Sequence, residues 1–352
     1  MKFVKKYAAL TLALIMAISL APALKVNAST YGYEGEVWWY YDGGGVLSIG
    51  YPGESCTMKD FDSVLPAWAK QSWYGNVKKL VIRPGVKNIG EGAFTGCSAK
   101  EIVFEANSSC TKIGYEAFYG TEFTEIKIPK KVKVIDGFAF ESSWVKKVTF
   151  ESGSKLETIG YYAFFDSGLE SISLPSSLKR IQNGAFSQTE LKSITIPRYC
   201  TSLGRDVFLF CRNLKSISVH GKNKSLSSKS GVLFNKKKSK LIQYPTAKTG
   251  STYTVPSSVK EITDYAFMGS EVLAIYPKVK TIKMSKNIRK IGENAFEFTD
   301  IRKIYFPKRR PTIVGGTMFD ADMAVTIYYK KKYWPSKYRK NYGAKKVIWK
   351  RY

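Results

Sequence analysis

Apolar and polar residues alternate in a series of short segments that recur along the chain. They read EIKIP at 125–129, SISLP at 171–175 and SITIP at 193–197, with KVTF at 147–150 and SISV at 216–219 as variants. Alternation with a period of two predicts a β-strand that buries one face. Proline cannot donate to a β-ladder, so we expect a strand to end where a proline closes the segment.

A second apolar phrase of six residues follows each predicted strand. Its copies are IGEGAF at 89–94, IGYEAF at 113–118, IDGFAF at 135–140, IGYYAF at 159–164, IQNGAF at 181–186 and IGENAF at 291–296, with looser copies LGRDVF at 203–208 and ITDYAF at 262–267. Most of the phenylalanines are 22–24 residues apart. This period is typical of solenoids in the size range of leucine-rich repeats. No single coil can bury its own apolar edge, so we expect the strands to stack about 4.8 Å apart in one continuous parallel sheet over a core that contains the phenylalanines.

Both ends and one internal segment depart from this repeat. VWWYYDGGGVLSIGYPG at 37–53 predicts two strands joined by a glycine-rich turn, which would cap the first open edge. GVLFNKKKSKLIQYP at 231–245 predicts a second hairpin within the long gap between Phe208 and Phe267. We therefore predict a β-rich N-terminal cap at 29–76, a solenoid at 77–324 with a hairpin-like insertion at about 222–256, and a basic, aromatic C-terminal cap at 325–352.

The first residues have the features of a secretory signal peptide. Three lysines precede an apolar run that ends near Leu20, and small residues at Val26-Asn27-Ala28 precede Ser29. We predict cleavage after Ala28, so that residues 1–28 are removed and the protein is exported. A transmembrane anchor is the alternative, but the run is short and no charged stop-transfer segment follows it.

The chain is strongly basic, with 56 Lys and Arg against 28 Asp and Glu. Four of the lysines lie before Ser29, so 52 basic residues remain against 28 acidic ones, a formal charge of +24. Such a field attracts acidic glycans, anionic cell-wall polymers, membrane head groups or nucleic acid. Export makes nucleic acid the least expected of these partners. A soluble basic protein without a polyanionic partner is the alternative interpretation.

The five cysteines are expected to be structural. Cys110 and Cys200 stand where other repeats have leucine, and Cys97 and Cys211 follow the phenylalanine by three residues in a turn. We interpret these four as small core or turn residues and leave the role of Cys56 open. A disulfide framework is the alternative, with at least one thiol unpaired because the number is odd.

The repeat resembles a known family, the BspA-like leucine-rich repeat proteins, also called the Treponema pallidum type. The family motif is L-x-x-I-x-I-P-x-x-V-x-x-I-G-x-x-A-F-x-x-C, and LKSITIPRYCTSLGRDVFLFC at 191–211 matches it nearly throughout. The resemblance extends over roughly 35–352, including GVLSIGYPG near the start and NYGAKKVIWKRY at the end. It implies a right-handed coil stack in an exported or surface protein of a bacterium or protist, in a family several of whose members are implicated in adhesion. We find no sortase signal, lipobox or separate wall-binding module of the kind that fixes many relatives to a surface.

The sequence contains no constellation of residues typical of an enzyme. His220 is the only histidine, and no CxxC or GxSxG motif occurs. The acidic pairs Asp60/Asp62 and Asp320/Asp322 could imitate glycosidase carboxylates, but turn and capping roles explain them better. The resemblance implies no shared catalytic residues either. We therefore expect a non-enzymatic protein without a cofactor or metal.

The outward positions of the predicted sheet form the first candidate binding surface. Alternation places small Ser and Thr side chains between two regions that carry lysine, which would allow a partner to approach the backbone closely. The candidate residues are Lys79, Lys127, Lys147, Ser171, Ser173, Ser193, Thr195, Lys283, Lys303 and Tyr305, and Val81 is also predicted to point outward. Plain solubility combined with good strand propensity is the alternative.

The C-terminal segment forms the second candidate surface. Residues 328–352 contain ten Lys and Arg, eight aromatic residues and no acidic residue. Interleaved charge and rings suit acidic glycans or wall polymers, through ion pairing and stacking. The candidates are Lys330, Lys331, Lys332, Trp334, Lys337, Arg339 and Lys340. The alternative is that the aromatic residues close the core while the lysines remain solvated.

Two functional hypotheses follow from these observations. The leading one is a secreted or cell-surface, adhesin-like protein that recognises a protein or glycan partner with its sheet face. The other is a protein that its basic surface and C-terminal segment retain on an anionic cell-wall polymer.

Overall fold

The chain folds into a stack of β-coils. The computed structural model describes residues 28–61, 64–308, 310–336 and 339–351. The predicted signal peptide at 1–28 lies outside the described residues, except for Ala28. In the described part, the helical elements are three short 3₁₀ turns at Tyr74–Asn76, Val314–Gly316 and Lys331–Tyr333. The predicted repeat solenoid is confirmed.

One side of the stack is formed by a series of strands that we call the front sheet, and these include the strands predicted from the alternating segments. Numbered along the chain, they are β4 Lys79–Ile82, β6 Glu101–Phe104, β8 Glu125–Ile128, β10 Lys147–Phe150, β12 Ser171–Ile172, β14 Ser193–Ile196, β16 Ser216–Val219, β20 Thr252–Thr254, β22 Thr281–Lys283, β24 Lys303–Phe306, β26 Ala324–Tyr329 and β27 Lys346–Arg351. Pairing is parallel wherever two of them share a ladder. The ladder is less continuous than predicted: β6 and β8, and likewise β12 and β14, are neighbours without a shared ladder.

The opposite side of the stack carries a narrower sheet that the sequence analysis did not predict, which we call the back sheet. The isoleucine or leucine that opens each six-residue phrase ends a two-residue strand. These strands are β5 Asn88–Ile89, β7 Lys112–Ile113, β9 Val134–Ile135, β11 Thr158–Ile159, β13 Arg180–Ile181, β15 Ser202–Leu203, β21 Glu261–Ile262, β23 Lys290–Ile291 and β25 Thr312–Ile313. Nine front strands are thus each followed by a back strand, whereas β16, β26 and β27 are not followed by one in the described part of the chain.

The Ala-Phe pair forms a third set of hydrogen bonds between coils. The backbone amide of Phe118 donates to the carbonyl of Ala139, and the amide of Phe140 to the carbonyl of Ala163, at 2.8 Å each. This direct backbone approach agrees with the small side chain at the alanine position. The residue before alanine is left-handed in these coils, as Glu116 shows with φ of 50°.

Phenylalanine rings stack through the core from coil to coil. Phe140 and Phe164 are parallel, with centroids 5.0 Å apart and planes 1° apart, and Phe164 stacks on Phe186 at 5.5 Å. The stack begins at Trp68, which contacts Phe94 at 5.7 Å. Because these rings are fully buried, they supply the apolar volume that each coil cannot enclose alone.

The N-terminal segment caps the first edge of the front sheet, as predicted. Its strands are β1 Thr30–Glu34, β2 Val37–Tyr41 and β3 Val46–Ile49, joined antiparallel, and β3 pairs parallel with β4. The two strands around the glycine-rich turn are therefore confirmed, and β1 is an addition. The indole N–H of the buried Trp68 donates to the carbonyl of Ala93 at 3.0 Å, which fixes the cap to the first repeat.

An antiparallel insertion divides the stack into two arrays. Its strands are β17 Leu226–Lys229, β18 Val232–Asn235 and β19 Lys240–Gln243, and β19 pairs parallel with β21. The predicted hairpin at 231–245 is confirmed. Strand β18 contributes Leu233 to the core of the N-terminal array and Val232 and Phe234 to the core of the C-terminal array. Strand β19 likewise packs Ile242 against the first core and contributes Leu241 to the second, so strands of the insertion form the wall between two hydrophobic cores.

All five cysteines are buried and free, so the predicted core and turn roles are confirmed, Cys56 is a core residue, and the disulfide alternative is wrong. Burial raises the pKa of Cys110 and of Cys200 to about 12, and that of Cys211 to about 11. Since the thiolate is the reactive form, reactivity toward thiol reagents is shifted to strongly alkaline pH.

We therefore expect the native protein at pH 8 to be inert toward an aromatic disulfide reagent, and all five thiols to react after unfolding in denaturant. The absorbance of the thiolate that the reagent releases gives the number of reacted thiols, first in the native and then in the unfolded protein. A thiol that reacts rapidly in the native protein would contradict this assignment, and Cys-to-Ser variants would identify it.

Candidate functional site

The front sheet of the C-terminal array presents a row of five side chains, one from each strand. Backbone pairing aligns Thr254 on β20, Lys283 on β22, Tyr305 on β24, Tyr328 on β26 and Lys350 on β27. Successive strands of a sheet are about 4.8 Å apart, so the row extends over roughly 19 Å. We call it the Lys-Tyr row.

Two stacked tyrosines form the centre of the Lys-Tyr row. The ring centroids of Tyr305 and Tyr328 are 4.2 Å apart and the planes differ by 4°. Burial, together with Tyr328, raises the pKa of Tyr305 above its ordinary value. Lys283 and Lys350 are exposed at the two ends of the pair. The arrangement offers an aromatic surface between two cations.

A depression of about 480 Å³ adjoins the row where the insertion meets the C-terminal array. Lys229 at the end of β17 and Ser230 in the turn that follows lie on one side, and Thr254 and Lys286 lie on the other. Thr254 belongs to both features, so a ligand on the row can extend into the depression. Its lining offers hydroxyl groups and ammonium groups, which suit anionic or hydroxyl-rich ligands.

Lys303 lies beside the Lys-Tyr row rather than in it. It is exposed and aligned with Thr281 and Thr326. The structure therefore brings together three of the residues predicted from sequence: Lys283, Lys303 and Tyr305.

The predicted lysines of the N-terminal array have a different environment. The ammonium group of Lys79 lies 2.8 Å from the carboxylate of Glu101, and that of Lys147 lies 3.6 Å from the carboxylate of Glu125. Both pairs join neighbouring coils at the surface, where each contributes less than about 1 kcal/mol. Lys127 is exposed and has Thr149 as its register partner.

The predicted Ser/Thr tract is present on the front sheet of the N-terminal array. Ser171, Ser173, Ser193 and Thr195 are all exposed, and Ser173 lies just beyond the end of β12. The prediction for Val81 is wrong, because it is only 8% exposed and its register partner Ser48 is buried as well. The position of Val81 on the first strands of the front sheet is therefore buried, and the flat tract begins further along the stack.

The C-terminal segment continues the repeat instead of leaving it. β26 pairs with β24, and β27 pairs with β26, both parallel. Trp334 is fully buried, with its ring centroid 5.0 Å from that of Phe306, so its predicted role as an exposed stacking ring is wrong. Its apolar surface closes the end of the core instead.

The cationic candidates of this segment are divided between structural and exposed positions. The Arg339 guanidinium donates to the Tyr329 hydroxyl at 2.9 Å and lies 5.6 Å from the centre of that ring. Lys330, Lys331, Lys332 and Lys340 are exposed, whereas Lys337 lies outside the described residues.

Sequence reasoning missed Thr254, Tyr328 and Lys350 of the Lys-Tyr row, and a sequence signal was available for Tyr328. The signal was present in Thr326–Tyr329, where TIYY alternates in the same way as KIYF at Lys303–Phe306. The high density of lysine and aromatic residues around it favoured the interpretation as a cap.

A family model described as "BspA type Leucine rich repeat region (6 copies)" matches residues 71–155, 111–240, 139–274 and 244–326. No curated protein matches the sequence of the chain. In the described part of the chain, no helix has the length and apolar character needed to cross a membrane.

Several solved bacterial structures are similar in fold. A leucine-rich repeat protein from Eubacterium ventriosum is 21% identical, with 91% of this chain and 85% of that chain covered, at a TM-score of 0.55. A leucine-rich cell surface protein from Faecalibacterium prausnitzii is 17% identical, with 91% and 94% covered, at a TM-score of 0.53. The pneumococcal vaccine antigen PcpA is 18% identical, with 93% and 100% covered, at a TM-score of 0.50.

Proposed function

The chain belongs to the BspA-type leucine-rich repeat family, and from this premise we propose that it is a secreted or cell-surface binding protein. Leucine-rich repeat arrays typically serve as non-enzymatic binding scaffolds. In this proposal the protein is adhesin-like and recognises a protein or glycan partner with its front sheet. A cell-surface protein and a vaccine antigen among the similar structures support an exposed location.

The Lys-Tyr row is the observation that carries the proposal. Stacked tyrosines provide apolar area at a low cost in conformational entropy, because each side chain has few rotatable bonds. The flanking lysines add charge that steers an acidic partner toward the rings. Tyrosine is also enriched among residues that dominate binding energy at interfaces. The Ser/Thr tract of the N-terminal array offers a flat continuation for a larger partner.

We expect charge reversal of Lys283 and Lys350 to Glu, or replacement of both Tyr305 and Tyr328 by Ser, to weaken binding at least about tenfold, or ~1.4 kcal/mol. Binding is measured on residues 29–352 against mucin, purified matrix proteins and cell-wall sacculi, at low and high salt.

The matched control reverses Lys224 and Lys237, two exposed lysines of the insertion segment, and so changes the net charge equally. Equal weakening by the row variant and the control would contradict recognition by the front sheet. Circular dichroism spectra and melting temperatures establish that each variant is folded.

Retention on an anionic cell-wall polymer is the second candidate function. The observation that favours it is the group of exposed lysines at 330–332 and 340, which form part of the formal charge of +24. Loss of binding in proportion to total charge, together with a steep salt dependence, would favour this mechanism. Deleting 328–352 is not a clean test, because it removes β27 and the buried Trp334. Substitution of the exposed lysines leaves the core intact.

A further inference from the structure

A second concave surface lies on the back sheet of the N-terminal array, away from the front sheet. It consists of two adjoining depressions of about 940 and 360 Å³ that share Arg180 and Ser202. The larger crosses the coils of β9, β11, β13 and β15, a distance of roughly 14 Å at the spacing of stacked strands. We call the two depressions together the back groove.

The back groove is basic. The larger depression is lined by Lys133, Lys155, Lys179 and Arg180, and its one carboxylate belongs to Glu157. Glu157 is paired with Lys179 at 3.0 Å. No carboxylate of the described residues forms an ion pair with the other three cations. Three positive charges are therefore available to a ligand, in a depression that partly screens them from bulk water.

Exposed tyrosines line both depressions. Tyr199 lies in the larger one and is 54% exposed, and the Arg198 guanidinium holds its ring at 5.0 Å. Tyr161 lies in the smaller one and is 41% exposed. Its ring lies against Gly137, where a Cβ atom would come within 2.8 Å of the ring, and it packs edge-on against Phe138 at 5.0 Å. Both rings are thus oriented before a ligand arrives.

Fixed amides and hydroxyl groups complete the back groove. The side-chain oxygen of Gln182 accepts from the amide of Tyr161, and that of Asn183 accepts from the amide of Arg205, at 3.0 Å each. Each carboxamide is thereby oriented so that its NH₂ group is the remaining donor. Hydroxyl groups of Thr201 and Ser202 line the larger depression.

We propose that the back groove binds an acidic oligosaccharide. Arg180, with Lys133 and Lys155, pairs with uronate carboxylates or sulfate groups, since charge-assisted hydrogen bonds to guanidinium are among the strongest available. The C–H faces of the sugar rings pack on Tyr199 and Tyr161. The carboxamide NH₂ groups and the hydroxyl groups exchange hydrogen bonds with the sugar hydroxyls. Single-stranded nucleic acid also combines negative charge with stacking. The fixed amide and hydroxyl groups favour a ligand rich in hydroxyl groups.

The test uses residues 29–352 and isothermal titration calorimetry with tetragalacturonate, its fully methyl-esterified form and a sulfated tetrasaccharide. We expect Arg180→Gln to weaken binding of an acidic tetrasaccharide about 10- to 100-fold, as for loss of a charged hydrogen bond. Tyr199→Ala is expected to weaken it about tenfold. Lys133→Gln with Lys155→Gln is a second variant whose exposed side chains have no contacts in the core, in case Arg180→Gln does not fold.

Lys283→Gln is the matched control, because it removes one charge from the front sheet and is expected to change affinity less than about twofold. It also separates this site from the proposed function, which depends on Lys283. Failure of both acidic tetrasaccharides to bind overturns the proposal, and so does equal binding of the methyl ester. Polyphosphate and a short single-stranded oligonucleotide are tested in parallel. If either binds as tightly as the acidic sugars and Tyr199→Ala has no effect, the back groove is a general anion surface and the proposal is overturned.

Discussion

Phe164→Ala is expected to lower the free energy of unfolding of the N-terminal array by about 3–5 kcal/mol. The Phe164 side chain is fully buried and stacked on both sides, by Phe140 at 5.0 Å and Phe186 at 5.5 Å. The neighbouring coils cannot collapse into the cavity, because front strands, back strands and Ala-Phe hydrogen bonds all fix their separation. The loss therefore includes both the transfer free energy of the ring and the cost of the cavity. Urea unfolding, followed by circular dichroism, measures the change.

Phe138→Ala is the matched control for this variant. Phe138 is half-buried on the outer surface of the same turns, and its ring stacks on that of Tyr162 at 5.4 Å. The ring also packs edge-on against Tyr115 at 5.4 Å and Tyr161 at 5.0 Å. Because removal of a surface ring leaves no internal cavity, its loss is expected to cost only about 1–2 kcal/mol. If both variants lost the same free energy, the internal ring stack would not be the main source of stability in the array.

Asn223→Ala is expected to destabilise the junction between the two arrays by about 3–5 kcal/mol. Asn223 is fully buried, and its amide donates to the carbonyls of Pro197 and Cys200 at 2.9 and 2.8 Å. Its oxygen accepts from the amides of Ser225 and Leu226, at 2.9 Å each. One side chain thus joins the last N-terminal coils to the start of β17. Alanine removes this partner from four backbone groups, three of which belong to buried residues.

The expected signature of Asn223→Ala is a change in cooperativity as well as in stability. The two hydrophobic cores meet at β18, so weakening the insertion allows each array to unfold separately. Differential scanning calorimetry should then show two transitions, or one much broader transition. Asn287→Ala is the control, since Asn287 is exposed and its amide donates only to Ser257, at 2.8 Å. If calorimetry showed the same single, slightly shifted transition for both variants, Asn223 would have no special role at the junction.

The repeat was predictable because each coil packs against its neighbours with the same residue types at the same positions. The front strands, the buried phenylalanines and both hairpins follow from local patterns of a few residues. The back sheet was not predictable in this way, because its strands are only two residues long and show no alternation. Tyr244 of the insertion stacks on Phe267 at 4.7 Å. It was missed for a related reason, because the six-residue phrase is absent from the insertion.

The candidate site was predictable only in part. The alternating pattern correctly placed Lys283, Lys303 and Tyr305 on the outer surface. After residue 324 the pattern continues, but the high content of lysine and aromatic residues led to the prediction of a cap. Tyr328 was therefore assigned to a cap, and Trp334 was named as a stacking candidate, with closure of the core as the alternative. The back groove depends on Tyr161, Arg180 and Tyr199, which come from three successive coils. Only the stacking of those coils brings these side chains together, so no local motif indicates them.

The two-sided strand β18 has a consequence for how such a protein can change in length. Its Leu233 serves one core, and its Val232 and Phe234 serve the other. Duplication or loss of a coil in one array leaves unchanged the surface that β18 presents to the other array. Gene segments that encode whole coils can therefore be gained or lost on one side of the insertion without a change in the packing of the array on the other side.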